Sequence, residues 1–110
     1  MPIVVQNITI KTNSEGFLLD QSQWNPEVGN AIAAAHGVEL TEAHWEILNL
    51  LRDFCDQGNE PPSMRHLSRE IREQLGADKA KSIYLMRLFG SSPAKMAARL
   101  AGLPKPKNCL

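Results

Sequence analysis

The sequence predicts a mainly α protein: a small helical bundle with an N-terminal β-hairpin, a helix-turn-helix-like pair and a mobile C-terminal arm. Three observations predict it. Five segments after residue 24 carry apolar residues at helical spacing, and each closes on a glycine: Gly37, Gly58, Gly76, Gly90 and Gly102. A β-branched run, Ile3-Val4-Val5 and Ile8-Thr9-Ile10, precedes them. The chain ends in Leu103-Pro104-Lys105-Pro106-Lys107-Asn108-Cys109-Leu110, where alternate prolines forbid a helix and favour an extended, polyproline-like arm. Residues 1–102 are therefore read as hairpin plus bundle, and residues 103–110 as a flexible arm on the same single domain.

The elements follow in order. Ile8 to Thr12, the turn cluster Asn13-Ser14-Glu15-Gly16 and then Phe17-Leu18-Leu19 read as a hairpin with Gly16 at positive φ. Asp20 to Trp24 reads as a short turn. Asn25-Pro26-Glu27 supplies a cap, a first-position proline and an acidic residue for a helix through Val28, Ala31, Ile32 and Ala35. Thr41 caps the next helix, with Leu40 and Trp45 placed as a hydrophobic staple. Its apolar stripe is broad: Ile47, Leu48, Leu51, Phe54 and Cys55. After Pro61-Pro62, a helix from about Ser63 to Leu75 places Met64, Leu67, Ile71 and Leu75 on one stripe. Arg65, Arg69 and Arg72 lie roughly 120° away, at about 100° per residue. Asp78 is placed to cap a fourth helix carrying Ile83, Leu85, Met86, Leu88 and Phe89. Ser92-Pro93 opens a fifth through Met96, Ala97 and Leu100.

The 110 residues suffice for one modest core, and the longest apolar run, Ala31 to Ala35, is far too short to span a bilayer. No secretory n-region or h-region is visible, so a cytoplasmic protein with no membrane partner is the expectation. Net charge is zero, yet residues 1–60 hold two basic and nine acidic residues, and residues 61–110 hold ten basic and three acidic. Such a split suits an acidic partner such as RNA on one face, or simply two halves that attract each other. Cys55 and Cys109 do not form a disulfide framework, and His36, His44 and His66 fall in three separate segments without metal spacing. No metal and no cofactor is expected.

Two places carry chemistry. Cys109 puts a thiol one residue from the end of a stiff tether that reaches roughly 20 Å at about 3.1 Å per residue. Cysteine is usually buried, so this placement suits a sulfur delivered into another protein's site. Lys105 and Lys107 favour the thiolate, and the terminal carboxylate of Leu110 opposes it. No general base lies on the arm, so activation is expected from a partner's pocket, as for a carrier. Cys55, inside an apolar stripe, reads as a small buried hydrophobe. The second place is the helix pair joined through Gly76-Ala77. Asp78, Lys79, Lys81 and Ser82 at the start of its second helix suit phosphates better than base edges. Arg65, in the first turn of its helix, is placed to hold a carboxylate or an oxidised sulfur group.

The run Gly102-Leu103-Pro104-Lys105-Pro106-Lys107-Asn108-Cys109-Leu110 resembles the C-terminal signature of the DsrC/TusE family of sulfur carriers, also known as partners or gamma subunits of dissimilatory sulfite reductase. Further matches run through the chain: Gly16-Phe17-Leu18, Trp24, Leu40-Thr41-Glu42 with His44-Trp45, Arg52, Pro62 with Arg65, and Leu88-Phe89. The resemblance implies a helical bundle with an N-terminal hairpin and a mobile arm. It implies that Cys109 accepts sulfur as a persulfide and passes it on. The sulfite-reductase branch has a second arm cysteine eleven residues earlier; here that position is Ala98. The resemblance therefore favours the TusE-like branch, a sulfurtransferase fed by a TusBCD-like complex that serves an MnmA-like thiouridylase making 2-thiouridine in tRNA. Arg65 is the expected docking point for a folded-back arm. A single-cysteine partner of dissimilatory sulfite reductase and a helix-turn-helix DNA-binding regulator are the alternatives.

Overall fold

The structure, a computed structural model, describes residues 2–107. Two short strands, β1 (Ile3–Val5) and β2 (Ile8–Ile10), pair antiparallel with Ile3 opposite Ile10 and Val5 opposite Ile8. Five helices follow: α1 (Pro26–Ala35), α2 (Glu42–Asp56), α3 (Met64–Leu75), α4 (Ser82–Phe89) and α5 (Pro93–Leu100). The bundle with an N-terminal hairpin is thus as expected.

The hairpin turn is not where the residues suggested. It is Gln6-Asn7, with φ of 50° and 66°, the left-handed pair that a two-residue hairpin needs. Asn13 to Gly16 instead closes a smaller loop. There Asn13 Oδ1 accepts from the N–H groups of Glu15 and Phe17 at 2.9 and 3.0 Å, and Thr12 bridges to Leu18. Gly16 does adopt positive φ, 88°, and a Cβ there would fall 2.7 Å from the His36 ring.

Asn25 Oδ1 accepts from Val28 N–H at 2.9 Å and starts α1 as its sequence indicates. Thr41 starts α2 with help from His44, whose Nδ1 accepts the Thr41 N–H at 3.0 Å. That bond fixes the proton on Nε2, which donates to the Leu88 carbonyl at 2.8 Å. A buried histidine thereby ties the start of α2 to the end of α4.

Asp78 caps no helix. It sits in a 3₁₀ turn, Ala77–Ala80, and Lys81 occupies the position before α4. Only Leu85 and Phe89 of α4 are buried; Ile83 and Met86 remain 60% and 48% exposed.

Helix α5 is the centre of the molecule and packs on α1, α2, α3 and α4. Ala94, Ala97, Ala98, Leu100 and Ala101 are all buried. The four alanines let Ile32, Ile47, Leu51, Leu67, Leu85 and Phe89 close around one axis. The root of the arm leaves from the end of this helix, so the best-packed element of the fold carries it.

Candidate functional site

The arm begins in a helix stop built from backbone. Leu103 N–H donates to Ala98 O at 2.9 Å and Gly102 N–H to Arg99 O at 3.2 Å, with Gly102 at φ 73°. This is a Schellman motif, which needs a left-handed residue at Gly102. The remaining carbonyls at the end of α5 are taken by side chains. Trp24 Nε1 donates to Leu100 O at 2.9 Å, and Arg52 Nη1 donates to Ala101 O at 2.6 Å. The Arg52 guanidinium also stacks 3.8 Å from the Trp24 ring centre, and Trp45 meets that ring edge-on at 6.3 Å. Gly102 and Gly29 both press on Trp24: a Cβ at Gly102 would lie 2.3 Å from its Cδ1, and one at Gly29 would lie 3.3 Å from its ring. The direction in which the arm leaves is therefore set by packing.

From there the described part of the arm runs along the body. Leu103 is half-buried and Pro106 is buried, so as far as Lys107 the extended arm packs on the body. Lys105 Nζ lies 3.1 Å from Glu15, and Lys107 Nζ lies 3.0 Å from Glu60. Glu15 also binds Lys95 at 2.6 Å. The Lys95 hydrogen bond, and then that of Lys105, hold the Glu15 carboxyl below its ordinary value. Lys107 reaches a cleft of about 280 Å³ between the end of α2 and the start of α3, lined by Phe54, Pro61, Pro62, Ser63 and His66 among others.

Cys109, the candidate catalytic residue, lies outside the described residues, as do Asn108 and Leu110. Cys55 is half-buried in α2, and burial first, then Asp56, push its thiol up. That makes it a poor thiolate, in keeping with its place on the apolar stripe. Ala98 is fully buried beneath the arm's root. Arg65 is exposed on the first turn of α3 and makes no ion pair among the described residues; it does not meet the arm as far as Lys107. Lys79 and Lys81, the suggested phosphate contacts, already bind Glu46 at 2.8 Å and Asp78 at 3.6 Å.

Sequence reasoning missed the Glu15 and Glu60 contacts and the way Trp24 and Arg52 hold the root. A signal for Arg52 existed: it is one of two basic residues in the first sixty, set within an apolar stripe. Nothing in residue spacing pairs Glu15 with a lysine ninety positions away.

Among the described residues no helix is long and apolar enough to cross a membrane, and no three His, Cys, Asp or Glu side chains gather to hold a metal ion. The model of the family described as DsrC like protein matches residues 4–110. A Haemophilus influenzae protein named sulfurtransferase TusE homolog is 46% identical over 106 residues, 96% of this chain and 97% of that one. The Escherichia coli K12 protein named sulfurtransferase TusE is 38% identical over 108 residues, 98% and 99% of the two chains. Among solved structures, Allochromatium vinosum DsrC superposes with a TM-score of 0.88 at 38% identity, covering 100% of both chains. The oxidised gamma-subunit of the dissimilatory sulfite reductase (DsrC) from Archaeoglobus fulgidus does so at 0.85 and 33%, again over 100% of both.

Proposed function

The chain belongs to the DsrC-like protein family, and from that premise we propose that it is a sulfurtransferase that relays sulfur as a persulfide on Cys109. In the first step the Cys109 thiolate attacks the outer sulfur of a donor persulfide. A new S–S bond forms, the donor's S–S bond breaks, and the donor leaves as a thiolate. In the second step an acceptor thiolate attacks the outer sulfur now on Cys109, and Cys109 leaves as a thiolate. One sulfur moves twice, and no net oxidant or reductant is consumed.

The observation that carries this reading is the construction of the arm. Gly102, Trp24 and Arg52 fix its root, while beyond Leu103 its polar contacts are side-chain ion pairs at the surface and Pro106 is its one buried side chain among the described residues. Exposed ion pairs contribute little, so lifting the segment beyond Leu103 costs chiefly the re-exposure of Pro106. Prolines 104 and 106 reduce the entropy lost when it docks elsewhere. Lys105 and Lys107 then suit an acidic channel or tRNA phosphates. Arg65 offers a charge for a folded-back arm.

The names of the relatives support a TusE-like role. We place the donor as a TusBCD-like complex and the acceptor as an MnmA-like thiouridylase making 2-thiouridine in tRNA, in the cytoplasm. The Archaeoglobus neighbour favours a second reading, a single-thiol partner of dissimilatory sulfite reductase. Ala98 weighs against it, because an arm with one cysteine forms no internal disulfide. Loading with a persulfide donor followed by intact-protein mass spectrometry tests the relay. Cys109→Ser is expected to carry no added sulfur and Cys55→Ser to carry one; the reverse pattern ends the proposal. Steeply salt-dependent DNA binding that survives loss of residues 103–110 would point instead to the DNA-binding regulator.

A further inference from the structure

The basic excess of the second half is not spread evenly over the surface. Each lysine after residue 60 lies against a carboxylate: Lys79, Lys81, Lys95, Lys105 and Lys107, at 2.6 to 3.6 Å. The arginines of α3 do not. Arg65, Arg69 and Arg72 are exposed, and their guanidinium groups make no ion pair or hydrogen bond among the described residues. They fall within about 60° of one another round the helix, at about 100° per residue, and follow each other at rises of roughly 6 and then roughly 4.5 Å. Glu70 is engaged by Gln74 at 2.8 Å. Glu73, the remaining acid of α3, makes no ion pair among the described residues. We infer that this row is a phosphate-binding surface for a folded RNA, each arginine taking a phosphate of the backbone.

The row stands on an anchored helix, since Leu67 and Ile71 are 0% exposed and Ser68 Oγ donates to Ala80 O at 2.8 Å. A guanidinium fork meets a phosphate with two parallel N–H bonds, and the arginines here have those donors to give. A protein partner fits less well. Every exposed side chain of α3 is polar, so the row lacks the apolar anchor at the heart of a protein interface. Duplex DNA also fits less well. A helix-turn-helix reads it by sending the start of its second helix into the major groove. There Asp78 stands with its side chain 98% exposed and negative. A-form RNA needs no such entry, because it is held through phosphates and shape. Arg65 serves this surface while the arm is extended away from α3.

The choice of RNA rests on the tRNA reading above; the test does not need the relay. Binding of a labelled tRNA transcript to the full chain is followed by fluorescence anisotropy across a series of salt concentrations. The variant is Arg65→Gln, Arg69→Gln, Arg72→Gln, and glutamine is nearly as good a helix former as arginine. An unchanged far-ultraviolet spectrum checks its fold. It is expected to flatten the slope of log K against log salt by about 2–3, and to bind about tenfold or more weakly at roughly 0.1 M salt. Arg69→Gln alone is expected to flatten the slope by about 1. Lys79→Gln, Lys81→Gln, whose lysines are already paired, is expected to keep the slope of the unaltered chain. No binding by the unaltered chain, an unchanged slope in the arginine variants, or a larger loss in the lysine variant overturns the surface. Equal or tighter binding of a DNA duplex of matched length overturns it too. Persulfide loading on Cys109 is read separately and is expected to be unchanged by the arginine variants. If loading fails in every chain while the slope still flattens, the relay falls and the RNA surface stands.

Discussion

At the scale of single residues, Gly102 bears the heaviest steric demand. It combines φ of 73° with a neighbouring indole carbon 2.3 Å from where a Cβ would be. Gly102→Ala is expected to cost about 1–3 kcal/mol of stability, read as a lower urea midpoint, because both the backbone and Trp24 must shift. Glu15 is a different kind of residue, exposed but shared between two lysines. Its carboxyl is held below the ordinary 4.5, so its contribution is present above that value and is lost as pH falls through the lower, folded-state one. Wild type is therefore expected to exceed Glu15→Gln in urea midpoint near neutrality. The gap should close as the solution is acidified below 4.5, and a gap that persists there refutes the assignment. Glu15 was illegible in the sequence because an ion pair across ninety residues leaves no local pattern. Gly16 was legible because Asn13 and Gly16 are turn residues in any context.

Among elements, legibility followed length and period. In the fifteen residues of α2 the stripe recurs at Ile47 and Leu48, at Leu51, and at Phe54 and Cys55, with Thr41, Leu40 and Trp45 marking the start; Ile47, Leu48 and Leu51 are buried as the pattern indicates, Leu50 joins them, and Phe54 and Cys55 are half-buried. Helix α4 has only eight residues. Five apolar side chains crowd them, and no face stands out until packing chooses Leu85 and Phe89. Apolar type alone therefore does not separate Ile83 and Met86, which stay exposed, from the buried pair. Leu85→Ala is expected to cost about 2–5 kcal/mol, whereas Ile83→Ala should stay within about 0.5 kcal/mol. Comparable losses in chemical denaturation would mean that both faces of α4 are packed. The hairpin turn escaped notice for a related reason: Gln6-Asn7 lacks the glycine that usually marks two consecutive positive-φ residues.

For the whole molecule, the opposed charges of the two halves find a physical outlet. Among the described residues, Lys79–Glu46, Lys95–Glu15, Lys105–Glu15 and Lys107–Glu60 each join an acid from the first sixty residues to a lysine from the last fifty. The halves do attract each other, and two of these four contacts hold the arm. Trypsin provides a direct reading of that hold, since it cleaves after Lys107 only when the backbone there is drawn into an extended conformation. Glu60→Gln is expected to speed this cut severalfold with the bundle intact. An unchanged rate would show that Pro106 burial alone keeps the segment in place.

A fixed fulcrum at the end of α5 has a consequence for traffic. In the proposed relay, every excursion of the Cys109 sulfur would start from the point where Trp24 and Arg52 grip the last turn, within the roughly 20 Å that an extended arm reaches at about 3.1 Å per residue. Two macromolecules that both need the tip must crowd the same small sector of solvent around that point. In the proposed relay, supplier and recipient would therefore exclude each other, and each round of delivery would require that one depart before the other arrives.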